Sequence, residues 1–142
     1  MIHILCDTDI ILDVITGRLP HSVDSSSLFT LIDQEEIKAS ASSLAFSNLY
    51  YVLRKYATHS RVISRLKELS EILFILNVDE PIIKAALQSG FKDFEDAIQY
   101  HAALSDPDIS VIVTRNVKDF KVADLPVMTP ETFLKTFRHT PG

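Results

Sequence analysis

Ser110-Val111-Ile112-Val113-Thr114 decides how this chain folds. Three β-branched apolar residues in a row, bounded on each side by a hydroxyl, are too few for a helix and do not alternate with polar residues. They read as a strand buried on both faces. Working outward, residues 2–6 are a second short apolar run and residues 74–78 a third, with residues 37–42 a weaker candidate and residues 126–128 a brief last one. Between these runs the apolar spacing turns helical. Ile10, Ile11, Leu12, Val14 and Ile15 carry a helix that stops at Gly17, a natural C-terminal residue. Residues 21–33 carry a second, with Val23, Leu28, Leu31 and Ile32 inward, and Leu44, Phe46, Leu49, Tyr50 and Leu53 carry a third to about residue 57. Val62, Leu66, Leu69 and Leu73 mark a fourth that Ser60 would cap. Pro81, behind Asp79 or Glu80, opens a short helix through Leu87 that Gly90 closes. A further helix covers residues 93–104, with Phe94 and Ile98 turned inward, and Thr129 caps a final one with Phe133, Leu134 and Phe137 inside. Strands separated by helices, each strand apolar throughout, form a parallel sheet covered on both faces. The expected fold is α/β, a three-layer α/β/α sandwich around a parallel sheet of four to five strands.

The 142 residues are 46% hydrophobic and 23% charged, with 3 Gly and 6 Pro, which suits one compact domain over 1–142 and excludes a disordered chain. The single cysteine, Cys6, cannot form an internal disulfide, so a reducing, cytoplasmic setting is expected. No apolar stretch approaches the roughly 18 residues of a membrane span, and Asp7 interrupts the N-terminal run before a signal-peptide core forms. A net charge of −5 argues against nucleic-acid binding by bulk electrostatics. Even so, residues 54–67 hold Arg54, Lys55, Arg61, Arg65 and Lys67 with no acid among them.

In a parallel sheet, ligands bind beyond the carboxyl ends of the strands. Asp7 follows the first strand directly, and Asn116 and Asp119 follow the Val-Ile-Val strand after Thr114 and Arg115. If those strands are neighbours, the three meet at one rim. Asp93 and Asp96 lie three apart at the start of a helix and share a face, so Asp96 reaches the same crevice. Clustered carboxylates without a base are costly unless a cation joins them. Oxygen donors suit Mg²⁺ or Mn²⁺, ions that promote phosphate-ester hydrolysis. Zinc is disfavoured, because His3, His21, His59, His101 and His139 are scattered. Each residue taken singly also has a plainer account. Asp7 and Asp96 serve as helix-terminal acids, Asp9 and Asp13 as solvated helix-face acids, Asp119 and Phe120 as a turn, Tyr50, Tyr51 and Tyr56 as core edge, the basic stripe as a solvated face, and Cys6 as a small core residue.

Three segments taken together go further. Leu5-Cys6-Asp7-Thr8-Asp9-Ile10-Ile11-Leu12-Asp13, Asp93-Phe94-Glu95-Asp96-Ala97-Ile98-Gln99 and Val113-Thr114-Arg115-Asn116-Val117-Lys118-Asp119-Phe120, in this order and over nearly the whole chain, resemble the PIN-domain family, in particular its short VapC-type members. The resemblance implies a Mg²⁺- or Mn²⁺-dependent ribonuclease, often the toxin of a type II toxin–antitoxin pair. It implies that Asp7, Asp96 and Asp119 hold metal, with Asn116 the final polar position and Thr114 a hydroxyl that steadies the site. Asp9 stands where many members carry Asn. The family's second acid usually precedes an Ile/Leu-Tyr pair, and here Ser47-Asn48-Leu49-Tyr50 places Asn48 there. That departure weakens metal affinity unless Glu95 or Asp93 compensates. Arg54, Lys55, Arg61, Arg65, Arg115 and Lys118 are the candidate contacts to the RNA backbone. A small antitoxin whose tail enters the acidic cleft is implied as partner, as is a homodimer through the apolar surface of the third and fourth helices.

Two other functions fit parts of the pattern. Asn48 suits a PIN-like module that binds RNA or a partner with weak or lost catalysis. Asp7-Thr8-Asp9 after a first strand suits an aspartyl-nucleophile phosphatase of the haloacid dehalogenase type, although Asp93-Phe94-Glu95-Asp96 opens a helix where that family places a motif after a strand.

Overall fold

In the computed structural model, which describes residues 1–139 apart from the side chain of His139, every expected strand forms. β1 (His3–Cys6), β2 (Lys38–Ser42), β3 (Phe74–Leu76), β4 (Val111–Val113) and β5 (Val127–Met128) build a single sheet in the order β3-β2-β1-β4-β5. All neighbours run parallel. The connecting helices are α1 (Thr8–Thr16), α2 (His21–Asp33), α3 (Ser43–Leu53), α4 (His59–Ile72), α5 (Glu80–Leu87), α6 (Phe94–Leu104) and α7 (Pro130–His139), with a short 3-10 turn at Val117–Phe120. Among the described residues no helix is long and apolar enough to cross a membrane.

Successive strand residues point to opposite faces, and the core divides accordingly. Ile4, Cys6, Ala39, Ala41, Val111 and Val113 pack with residues of α1, α2, α3, α4 and α7. Leu5 and Ile112 pack on the other face with Tyr100, Ala103, Ile109 and Phe120, beside a cluster joining α5 and α6 through Ile82, Ala86, Ala97, Ile98 and Ala102. These are the three layers read from the uninterrupted apolar runs.

Most helix starts are fixed by one polar side chain. Asp7 accepts from the Thr8 N–H, Ser42 from Ala45, Asp79 from Ile82 and Asp93 from Asp96, each satisfying an orphan donor of the first turn. Gly17 closes α1 in the left-handed region at φ 65°, its N–H bonded to the Asp13 carbonyl.

Several local expectations shift. Thr58, not Ser60, caps α4, because α3 ends at Leu53 and the chain reverses through a turn in which the Tyr56 and Ala57 N–H groups bond to the Leu53 carbonyl. The outer two strands are shorter than the apolar runs suggest, since pairing on one side only leaves their ends without partners. Val23 is 60% exposed, and α2 instead buries Ser22 and Ser25 with Leu28, Phe29 and Ile32. Phe94 is exposed while Ile98 is buried. Tyr51 and Tyr56 stand in solvent rather than at the core edge.

Candidate functional site

The β1–β4 pairing brings the ends of two distant segments together. Cys6 lies opposite Val113, and the Asp7 N–H donates to the Val113 carbonyl at 3.0 Å. Asp7 therefore enters α1 at the centre of the sheet's carboxyl edge, and it is only 6% exposed. Its carboxylate is held on three sides. Oδ1 accepts from the Thr8 N–H at 2.7 Å and from Gln99 Nε2 at 2.9 Å, and Oδ2 accepts from Thr114 Oγ1 at 2.7 Å. Thr114 Oγ1 in turn accepts from the Asn116 N–H at 3.0 Å, and Asn116 Nδ2 donates to Asp9 Oδ2 at 3.0 Å. A continuous polar chain thus ties the loop after β4 to the start of α1.

Around Asp7 opens a crevice of about 430 Å³ whose walls carry Asp9, Asp93, Glu95, Asp96 and Asp119 together with Thr8, Asn48, Gln99 and Asn116. Among the described residues, none of its lining side chains is basic. Asp9 is pushed up to about 7, first by burial and then by the negative charge of Asp7, against the opposing pull of Arg115. Asp96 is also pushed up to about 7, by burial and then by Asp7, Asp93, Asp119 and Asp9. Acids this crowded resist ionisation. The buried Cys6 thiol behind them is pushed up to about 12, chiefly by burial, and acts as core.

A sign follows for stability. Asp9 and Asp96 keep their protons in the folded chain up to about pH 7, whereas the unfolded chain releases them near pH 4. The folded state therefore binds more protons across that window, and stability falls as pH rises through it. The lowered Asp108 carboxyl, which His3 holds by a hydrogen bond, acts only below its ordinary range. In EDTA the thermal midpoint is expected to drop between pH 5 and pH 7.5. Asp96→Asn should flatten the drop, and a midpoint that rises steadily over this range would refute the crowding argument.

The donor set fits a hard divalent cation in charge and type. The crevice offers carboxylate and amide oxygens, and two of them, Asp9 Oδ1 and Gln99 Oε1, are buried without a hydrogen-bond partner. Among the described residues, however, no three His, Cys, Asp or Glu side chains converge tightly enough to cage an ion. The acids share a rim without closing on a point.

The structure therefore places Asp7, Asp96, Asp119 and Asn116 on one crevice, with Asn48, Asp93, Glu95 and Asp9 on its walls and Thr114 beneath it. Arg115 is elsewhere. Its Nε lies 2.7 Å from Asp13 Oδ2, and Asp13 is wholly buried, so neither is the solvent-facing group the sequence suggested. The two atoms pair by charge without meeting hydrogen-bond geometry. Arg54, Lys55 and Lys118 are exposed, Arg54 donating to the Ala57 carbonyl. Arg61 and Arg65 line a separate groove of about 960 Å³ between α1, α3 and α4, Arg65 also pairing with Glu68 at 3.3 Å. Leu12 and Val52 line both depressions, so the groove runs into the crevice. Gln99 and the buried state of Asp13 escaped the sequence reading. A signal for Gln99 was present: it is a lone polar residue in the run Ala97-Ile98-Gln99-Tyr100, three positions after Asp96.

A family model described as the PIN domain matches residues 3–118. By sequence, no curated protein matches. Among solved structures, the chain is similar to VapBC2 from Rickettsia felis bound to a DNA fragment from their promoter, at 18% identity and a TM-score of 0.65, over 89% of this chain and 97% of that one. A toxin–antitoxin complex from Klebsiella pneumoniae matches at 24% identity and 0.64, over 89% and 96%. Mycobacterium tuberculosis VapC20, a sarcin-ricin loop cleaving toxin, matches at 14% identity and 0.60, over 77% and 86%. At these identities the likeness is one of fold.

Proposed function

Because the chain belongs to the PIN domain family, we propose that it is a ribonuclease that hydrolyses phosphodiester bonds in RNA with Mg²⁺ or Mn²⁺, and that it acts as the toxin of a type II toxin–antitoxin pair. The observation that carries this reading is the crevice at the sheet's carboxyl edge, lined by acids from three distant segments and, among the described residues, by no base. Asp7, Asp96 and Asp119 would hold the cation, with Asp9, Asp93 and Glu95 adding negative charge near it. When bound, such an ion lowers the pKa of a water and offsets charge on the phosphoryl oxygens. The chain's own residues prepare the site. Thr114 and Gln99 fix both oxygens of Asp7. Asn116 keeps Asp9 turned to the crevice through Oδ2. An anionic backbone is repelled by the crevice walls, so cations outside them, Arg54, Lys55, Arg61, Arg65 and Lys118, would hold the RNA. The Klebsiella structure is a toxin–antitoxin complex, and the VapBC2 structure is bound to a DNA fragment from its promoter. Those likenesses support an antitoxin partner here, and the apolar groove that opens into the crevice offers it a surface. A cytoplasmic site of action and a homodimer through α3 and α4 belong to the same proposal.

The test is cleavage of structured RNAs by the full chain with MgCl₂ or MnCl₂ and with EDTA. Cuts that need the metal and disappear in Asp7→Asn are expected, and equal cutting by that variant overturns the assignment. A second reading, a PIN-fold module that binds without cutting, draws on Asn48, an uncharged residue on the crevice wall where the family resemblance implies an acid. RNA binding without cleavage at millimolar Mn²⁺ would decide for it.

A further inference from the structure

Gln99 is buried, 4% exposed, and donates from Nε2 to Asp7 Oδ1 at 2.9 Å. Asp7 Oδ1 also accepts from the Thr8 N–H, and the amide faces this acceptor with its N–H and turns its carbonyl away. That carbonyl oxygen, Oε1, is buried with no hydrogen-bond partner among the described residues, and Gln99 lines the acidic crevice. A buried acceptor left so is costly, and a donor or a cation must relieve it. Thr8, Asn48 and Tyr51 also line the crevice, and among the described residues none of them bonds to Gln99. None of the described lining side chains is basic, and the Asn116 amide is committed to Asp9.

We propose that Gln99 is a positioning residue of the site with two hands: its N–H fixes Asp7, and its carbonyl supplies a neutral oxygen, directly or through one water, to the divalent cation that Asp7 holds. The assignment rests on the metal-dependent reading above and adds a residue to it. It also gives Asn48 a counterpart. Two amide oxygens on the crevice wall supply donors without adding to the repulsion among the acids.

Titration of MnCl₂ into the full chain by calorimetry, with RNA cleavage and thermal unfolding in EDTA measured alongside, tests it. Gln99→Leu conserves volume and removes both polar groups. It is expected to weaken Mn²⁺ binding about 10–100-fold, the usual effect of losing a group that supports a ligand, and the midpoint in EDTA reads the lost hydrogen bond to Asp7 separately. A purely structural Gln99 would lower the midpoint and leave the affinity alone. Gln99→Glu retains an oxygen there and sets a second carboxylate against Asp7. Its midpoint in EDTA at pH 8 should fall, and its Mn²⁺ affinity should stay within a few-fold of the unmodified chain or tighten. Unchanged affinity in Gln99→Leu overturns the inference, as does a loss in Gln99→Glu equal to that in Gln99→Leu. An unmodified chain that binds no Mn²⁺ overturns it too. One that binds Mn²⁺ but cuts no RNA overturns the ribonuclease reading alone, and the comparison of Gln99 variants then still decides the inference.

Discussion

Arg115→Ala is expected to cost the fold about 3–5 kcal/mol, the usual penalty for removing one partner of a buried ion pair. Arg115 reaches from the loop after β4 to Asp13 on α1, at 2.7 Å between Nε and Oδ2, and the Asp13 side chain has no solvent exposure. Without the guanidinium, a carboxylate would remain in the core with neither water nor a cation, and it must either take up a proton or drag solvent inward. Asp13→Asn removes the buried charge and leaves Arg115, which is 23% exposed, able to turn to water, so its cost should be smaller. The double variant Asp13→Asn/Arg115→Ala should recover part of the single Arg115→Ala loss. Urea denaturation of the four proteins measures this directly. Additive losses would mean that the pair is not coupled. The result also separates two roles for Arg115, because an arginine that only grips RNA phosphates would lower binding and its salt dependence without touching stability.

Asp7→Asn is expected to reduce RNA cleavage by at least about a hundredfold, since altering even a group that supports a metal ligand costs about 10–100-fold and Asp7 would be a ligand itself. The substitution is close to isosteric, yet it removes the charge to which Asp9 and Asp96 respond. Asp7 is the leading charged neighbour raising both Asp9 and Asp96, after burial. Both acids should therefore titrate lower in the variant. Carbon-13 NMR of the carboxyl groups, without added metal, reads that shift independently of any catalysis. Loss of cleavage with the Asp96 titration unmoved would mean that the two acids do not share one electrostatic site, and the crevice would then lose its claim to be the metal centre.

The layered parallel fold was legible because its determinants are local. Val111-Ile112-Val113 cannot be solvated on either face, and a polar capping residue stands where most of the helices begin. Asp7 and Asp119 were legible for a related reason. Once β1 and β4 are neighbours, residues just past their ends must share an edge, and the first turn of α6 carries Asp96 to the same crevice. Side-chain fate along a helix was harder to read. Asp9 and Asp13 are four apart and lie on the same side of α1, yet Asp9 borders the crevice and Asp13 is sealed beneath Arg115. Which of the two meets solvent depends on how far α1 overlaps the loop after β4. Val23 and Ser25 show the same limit, since α2 turns small hydroxyl residues toward its neighbours and leaves a valine outside.

By itself the sequence determined the sheet, the layers and the three segments whose acids meet, because burial of short β-branched runs and capping of helix ends are settled within a few residues. Tertiary structure alone decided that Arg115 serves the core, that Gln99 grips Asp7 across 92 positions of chain and that the groove bordered by Arg61 and Arg65 shares Leu12 and Val52 with the acidic crevice. Each of these depends on the rotation and depth at which one helix packs against elements far away in the chain, and no local pattern encodes that.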